Sequence, residues 1–332
     1  MSRRVAAEAF RESDWPRPGL DAPVAVRGAL MQIGAQTGEG VSITSRIARV
    51  ALHHVERAPL EHSTEQDAMS NTYQETVTKH YEQVAEQHGL SETSTMEDMT
   101  TRRKEIEAIT TVLDKTVQQS SRVLEIGCGN GVLLDALRTR YSDLKLTGRD
   151  FSQPMVELAQ SRGIANCDVA HGDVRSLDFQ DETFDLIVGE RVIINLMDRE
   201  HQWEALSEIA RVLRPGGHYI CIEAFKDGLD CLNEARGELG LEPNAEAYHN
   251  LWFEEAGFRE EAAKHFDLID SDAFAGVPQH FLSSYYFISR VVYPAVTRTD
   301  LKYNTHFVRF FADQPPRGAY SPIQLFVLRK VR

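Results

Sequence analysis

The sequence predicts an α/β domain in which short buried strands alternate with helices around an open, mostly parallel sheet. Three observations predict it. An apolar run closed by glycines stands at 122–131 (RVLEIGCGNG), and a second run ends in an acid, Asp150, 19 residues after Gly131. From there strand-like runs, helical periods and tight turns alternate as far as a last apolar run at 323–329.

Taken in order, residues 1–40 carry Pro16, Pro18, Pro23 and five glycines without a period, which predicts an irregular extension. Residues 41–119 predict a helical N-terminal region. Ile43, Ile47 and Val50 share one face, and Tyr73, Val77, Tyr81 and Val84 share another. Ser94 with Glu97 reads as a capping box for a third helix, continued by Ile106, Ile109 and Leu113. Val123, Leu124 and Ile126 then form the first strand, and glycines 127, 129 and 131 lead into a helix opened by Val132, Leu133 and Leu134. A strand, glycine loop and helix in series let a ligand approach the backbone over a helix N-terminus. The glycines alone would equally serve a simple turn. A dinucleotide fingerprint needs glycine at 132, where Val132 stands, and no G-K-[ST] follows for a phosphate loop.

The second strand, 144–148, ends at Arg149 and Asp150, where an acid can accept from both ribose hydroxyls of a nucleotide. The third, 166–170, is followed by His171-Gly172-Asp173-Val174, and the fourth, 184–189, by Glu190-Arg191. Asp198 caps a helix with Trp203, Leu206 and Ile209 on its apolar face. That helix stops at RVLRPGG (211–217), with the fifth strand at 218–223, helical signals across 225–264, and the sixth and seventh strands at 265–270 and 323–329. Residues 272–321 between them are an aromatic-rich insertion.

The series E-x-G-x-G-x-G at 125–131, Asp150, G-D-V at 172–174, and F-D-L-I-V through R-V-L-R-P-G-G resembles the class I S-adenosylmethionine (SAM) methyltransferases, in particular their ubiquinone/menaquinone-type branch. The resemblance implies a Rossmann-like seven-stranded sheet of order 3-2-1-4-5-7-6 within a SAM-binding domain at 120–332, with the N-terminal helices as a lid. It implies SAM as cofactor, with Glu125, Gly127, Cys128, Gly129 and Gly131 beside its methionine part. Asp150 would take the ribose, Phe151 the adenine face, and Asp173 with the neighbouring Val174 amide the adenine edge. Glu190 would face the methyl group, while Tyr81 and Arg102 would reach the cofactor from the lid. A guanidinium matches a carboxylate in two parallel hydrogen bonds. Candidate catalytic groups are Glu190, Glu223, His249, Tyr285 and Tyr286, with Arg191 and Asn195 as orienters and 272–321 as an acceptor-site cover. His201, in the first turn of a surface helix, reads as structural.

The formal charge of −14, with both signs interspersed, argues against broad nucleic-acid affinity. Four dispersed cysteines without C-x-x-C spacing predict neither a disulfide framework nor a metal site. No apolar run suits a membrane span and the N-terminus has no leader-like apolar core, so a cytoplasmic location is expected. No D/N-P-P-Y follows the fourth strand, which weighs against methylation of adenine or glutamine amino groups. The expected activity is methyl transfer to an oxygen, nitrogen or carbon nucleophile of a small metabolite. A non-catalytic SAM- and partner-binding protein, a macromolecule methyltransferase and a dehydrogenase remain the alternatives.

Overall fold

The sheet is built from β1 (Arg122–Ile126), β2 (Lys145–Asp150), β3 (Cys167–His171), β4 (Phe184–Glu190), β5 (Leu213–Ala224), β6 (Phe266–Ile269) and β7 (Ile323–Lys330). Their order is β3-β2-β1-β4-β5-β7-β6, the order the resemblance implies. Pairings from β3 across to β5 are parallel, and β7 runs antiparallel to both β5 and β6. The computed structural model describes residues 79, 81, 83, 85, 87, 89–91, 96–299 and 303–331. The expected extension at 1–40, the helix at 42–57, Tyr73 and Ser94 lie outside the described residues.

Helices cover both faces of such a sheet, which is why its central strands read as nearly unbroken apolar runs. Val123, Leu124, Ile126, Ile187 and Val188 are all buried. The helices are α1 (Met99–Thr116), α2 (Val132–Arg140), α3 (Gln153–Ser161), α4 (Arg199–Val212), α5 (Lys226–Glu238) and α6 (Glu255–Ala262), followed by shorter turns in the insertion.

Three local expectations are corrected. The N-cap of α1 is Asp98, whose carboxylate accepts from the amides of Thr100 (3.2 Å) and Thr101 (3.1 Å). An acid directly ahead of the helix supplies the cap. The RPGG run does not precede the fifth strand; β5 already starts at Leu213, paired with Phe184. The register then shifts so that Leu186 pairs with His218, and Arg214 to Gly217 bulge out of the ladder. Residues 243–250, read as helical, form no helix. Pro243 disfavours an αR backbone at Glu242, and the Asn233 side-chain amide donates to the Asn244 carbonyl and accepts from its N–H. Phe253 pairs beside Phe225 at the end of β5.

The insertion packs against the start of α1. Tyr285 donates to Asp98 Oδ1 at 2.7 Å, and Arg290 Nη2 to Asp98 Oδ2 at 3.0 Å. Arg290 lies 3.6 Å over the Tyr286 ring, within a π-helical turn at Ile288–Val292.

Candidate functional site

The carboxyl ends of β1 to β4 open on a cavity of about 390 Å³, the size class of small-ligand sites. After Ile126 the chain turns through glycines with positive φ. Gly127 has φ +60°, and a Cβ there would lie 2.4 Å from a methyl of Val192. Gly131, at φ +81°, is the left-handed N-cap of α2; it is not among the lining residues, and a Cβ there would lie 3.1 Å from Ala159. Its part is packing. Glu125, Gly127, Cys128 and Gly129 do line the cavity. Burial, reinforced by the charge of Glu190, pushes the Glu125 carboxyl well above its ordinary range. Burial likewise keeps the Cys128 thiol protonated.

Asp150 lines the next part of the wall. Its Oδ2 accepts from the Gly129 amide at 2.7 Å and its Oδ1 from the Ser152 amide at 2.8 Å. Ser152 holds the N-cap position of α3, yet its hydroxyl makes no capping bond; Asp150 meets that helix start instead. Burial raises the Asp150 pKa, and the two amides oppose the shift. Phe151 is partly exposed, its ring 5.6 Å from that of His171. Asp173 and Val174 line the far wall. The Asp173 carboxylate is held by its neighbour: Arg175 Nη2 lies 2.6 Å from Oδ2 and Nε 3.0 Å from Oδ1. Burial alone would raise its pKa, but the Arg175 bonds outweigh it and hold the group below its ordinary value.

At the β4 exit, Glu190 lines the cavity with its side chain only 6% exposed, and Arg102 of α1 lies 3.7 Å from its Oε2. Arg191 follows at φ 54°, rare for a residue with a side chain, and its guanidinium pairs with the buried Glu105 of α1. Burial, opposed by Arg191, raises the Glu105 pKa to about 7. Asn195 Nδ2 donates to the Tyr81 hydroxyl at 3.1 Å, and Asn250 donates to Asn195 Oδ1 at 2.6 Å. Both Tyr81 and Asn195 line the cavity, and burial raises the Tyr81 pKa.

The other candidate catalytic groups stand outside the cavity wall. The Glu223 carboxylate accepts from the amides of Val192 (3.0 Å), Ile193 (2.9 Å) and Ile194 (3.4 Å), holding the 3-10 turn at Ile193–Asn195. Tyr285 is spent on Asp98, and Tyr286 lies under Arg290. His249 sits beside Tyr248 in the loop before α6. Among the described residues, none from 272–321 lines this cavity. The insertion instead contributes Asn304, Arg309, Ala312 and Asp313 to a wider groove of about 1090 Å³, which shares Arg102 and Val132 with the first cavity.

Among the wall residues that sequence reasoning missed are Arg175 and His201, whose side chains approach to 3.4 Å. The signal for Arg175 was an arginine two residues beyond an acid in a tight turn. For His201 it was the Asp198 cap, which starts α4 at the β4 exit and so aims its first turn at the sheet's carboxyl edge.

Residues 123–217 match the family model described as a methyltransferase domain. This segment is a class I SAM-dependent methyltransferase domain. It covers the glycine loop, Asp150, Asp173 and the β4 exit. Demethylmenaquinone methyltransferase of Staphylococcus epidermidis is 34% identical over 116 residues, 34% of this chain and 47% of that protein. The Mus musculus protein named Probable tRNA methyltransferase 9B is 39% identical over 100 residues, 30% of this chain and 21% of that one. The chain thus spans less than half the length of these relatives. Phosphoethanolamine N-methyltransferase 1 of Haemonchus contortus, solved with phosphoethanolamine and S-adenosylhomocysteine, superimposes with a TM-score of 0.52 at 15% identity, over 81% of this chain and 51% of that one. At that identity the likeness speaks for the fold.

The residues of the methyltransferase domain fit SAM. The side-chain-free Gly127 gives its backbone room at the cavity, and Asp150 stands in the wall. Buried carboxylate oxygens of Glu125 and Glu190 have no hydrogen-bond partner, as suits a cationic cofactor.

Proposed function

We propose that this chain is a SAM-dependent methyltransferase that moves a methyl group to an oxygen, nitrogen or carbon nucleophile of a small metabolite. One observation carries the reading: the glycine loop, Asp150 and the Glu190–Asn195 exit line one cavity, inside the segment that matches the methyltransferase domain. SAM brings a methyl already activated for direct displacement. The chain's residues then mainly bind, align and exclude water, and alignment of this kind can supply roughly 7–11 kcal/mol. Asp150 would hold the ribose, Phe151 and Val174 the adenine, and Arg102 the methionine carboxylate. Tyr81 and Asn195 would form the acceptor side, approached from the groove that the insertion shares with Arg102.

A tRNA acceptor is the second reading, suggested by the name of the mouse relative. A formal charge of −14 and a cavity wall bearing Glu125, Asp150, Asp173 and Glu190 oppose it. A cytoplasmic location accords with four free cysteines; no described helix is long and apolar enough to cross a membrane. The test is transfer of labelled methyl from SAM to the small-molecule fraction of a cell extract. Label confined to RNA would favour the second reading, and none anywhere would leave a binding protein.

A further inference from the structure

We propose that Glu125 and Glu190 form a receptor for the positive sulfonium of the cofactor, so that the cavity holds SAM more tightly than S-adenosylhomocysteine. This rests on the methyltransferase reading. The two residues end neighbouring parallel strands: Glu125 is in register with Val188, and Ile126 with Gly189, the residue before Glu190. Both line the cavity and both are more than nine-tenths buried. Glu125 Oε2 and Glu190 Oε1 have no hydrogen-bond partner.

The surrounding charges do not balance them. Arg191 is taken by Glu105, while Asp150 and Glu223 are satisfied by backbone amides. Arg102, at 3.7 Å from Glu190, faces both carboxyl groups, and Arg191, paired with Glu105, acts on Glu190 as well; two guanidinium groups thus face three buried carboxyls. A buried carboxylate short of a counter-charge is costly, and a bound cation offsets that cost. SAM and S-adenosylhomocysteine share ammonium, carboxylate, ribose and adenine. They differ by one methyl and one positive charge. On transfer, the acceptor's lone pair forms the new bond to the methyl carbon and the carbon–sulfur pair returns to sulfur. The charge the carboxylates hold is thereby removed, and the spent product is released more easily.

Glu125 also gives the binding a pH signature. The groups facing it are Glu190 from β4, Arg102 from α1, Asp150 from β2 and the Leu134 amide from α2. Burial and Glu190 keep it protonated, so a cation that favours its ionised form expels a proton. SAM binding should release more protons than S-adenosylhomocysteine binding, and SAM affinity should rise with pH.

Calorimetry on the full chain, with each ligand in two buffers of different ionisation enthalpy, tests this. The expected result is SAM bound about tenfold more tightly, with the ratio falling toward one in Glu190→Gln because SAM alone weakens. Equal or tighter binding of S-adenosylhomocysteine by the wild-type chain overturns the proposal. So does equal weakening of both ligands in Glu190→Gln, which assigns the carboxylates to the shared ammonium. The wild-type ratio and proton count decide the matter even where a variant misfolds. A folded chain that binds neither ligand overturns the methyltransferase reading itself.

Discussion

Glu105 of α1 and Arg191, the left-handed residue after β4, form an ion pair that fastens the helix ahead of the sheet to the strand exit at the cavity. A non-glycine residue at positive φ is strained by about 1–3 kcal/mol and persists where its surroundings hold it. Here the Arg191 amide donates to the Ile222 carbonyl at 2.7 Å, and Glu105 holds the guanidinium. Removing the acid should therefore be expensive. Glu105→Gln is predicted to destabilise the chain by about 3 kcal/mol in urea melts, and adding Arg191→Met should recover part of the loss.

The same pair predicts a pH dependence. The Glu105 and Glu223 pKa values are both raised to about 7, in each case chiefly by burial. A carboxyl with a raised folded pKa holds its proton more tightly in the folded chain, so its contribution is fully present below the unfolded value near 4.5 and is lost as pH rises through about 7. Stability from these groups should fall between pH 4.5 and 7. Urea midpoints of the wild type and Glu105→Gln across that window check it: the wild type should lose stability with rising pH more steeply than the variant, which keeps only Glu223 of the two groups.

Gly127 is predicted to tolerate no side chain. Alanine there meets both a φ of +60° and a Val192 methyl at 2.4 Å. Gly127→Ala should cost about 1–3 kcal/mol and weaken S-adenosylhomocysteine binding at least about tenfold. Val192→Ala added to it should restore some stability, since only the clash is relieved and not the dihedral strain.

Asp98 serves two partners, the first turn of α1 and the insertion. Asp98→Ser retains a capping oxygen but loses the ion pair to Arg290. If the insertion positions α1, and with it Arg102, then Asp98→Ser should weaken S-adenosylhomocysteine binding several-fold while losing less stability than Asp98→Ala, whose missing cap costs about 1 kcal/mol more. Calorimetry and thermal melts on the two variants separate the effects.

The sheet was legible because its strands announce themselves locally: buried apolar runs, positive-φ glycines and an acid at the right interval. Strand order followed from the resemblance carried by Glu125–Gly131, Asp150 and RVLRPGG. What escaped the sequence was non-local. That Asp173 would be held by Arg175, that Glu223 would be spent on three amides, and that Tyr285 would face Asp98 all depend on contacts between distant segments or on turn geometry. Residue type named these groups as chemically able; only packing shows that Glu190 remains in the cavity wall while Glu223 does not. The rings of the aromatic insertion serve Arg290 and the core, and among the described residues none from 272–321 lines this cavity.

The most direct test of the central claim is methyl transfer itself. Wild-type chain and Asp150→Ala are each incubated with methyl-labelled SAM and a protein-free, nucleic-acid-free extract of metabolites, and the labelled products are counted. The methyltransferase reading predicts labelled small-molecule product with the wild type and at least about tenfold less with Asp150→Ala. No label above the enzyme-free control, from a folded wild-type chain that binds SAM, would contradict it.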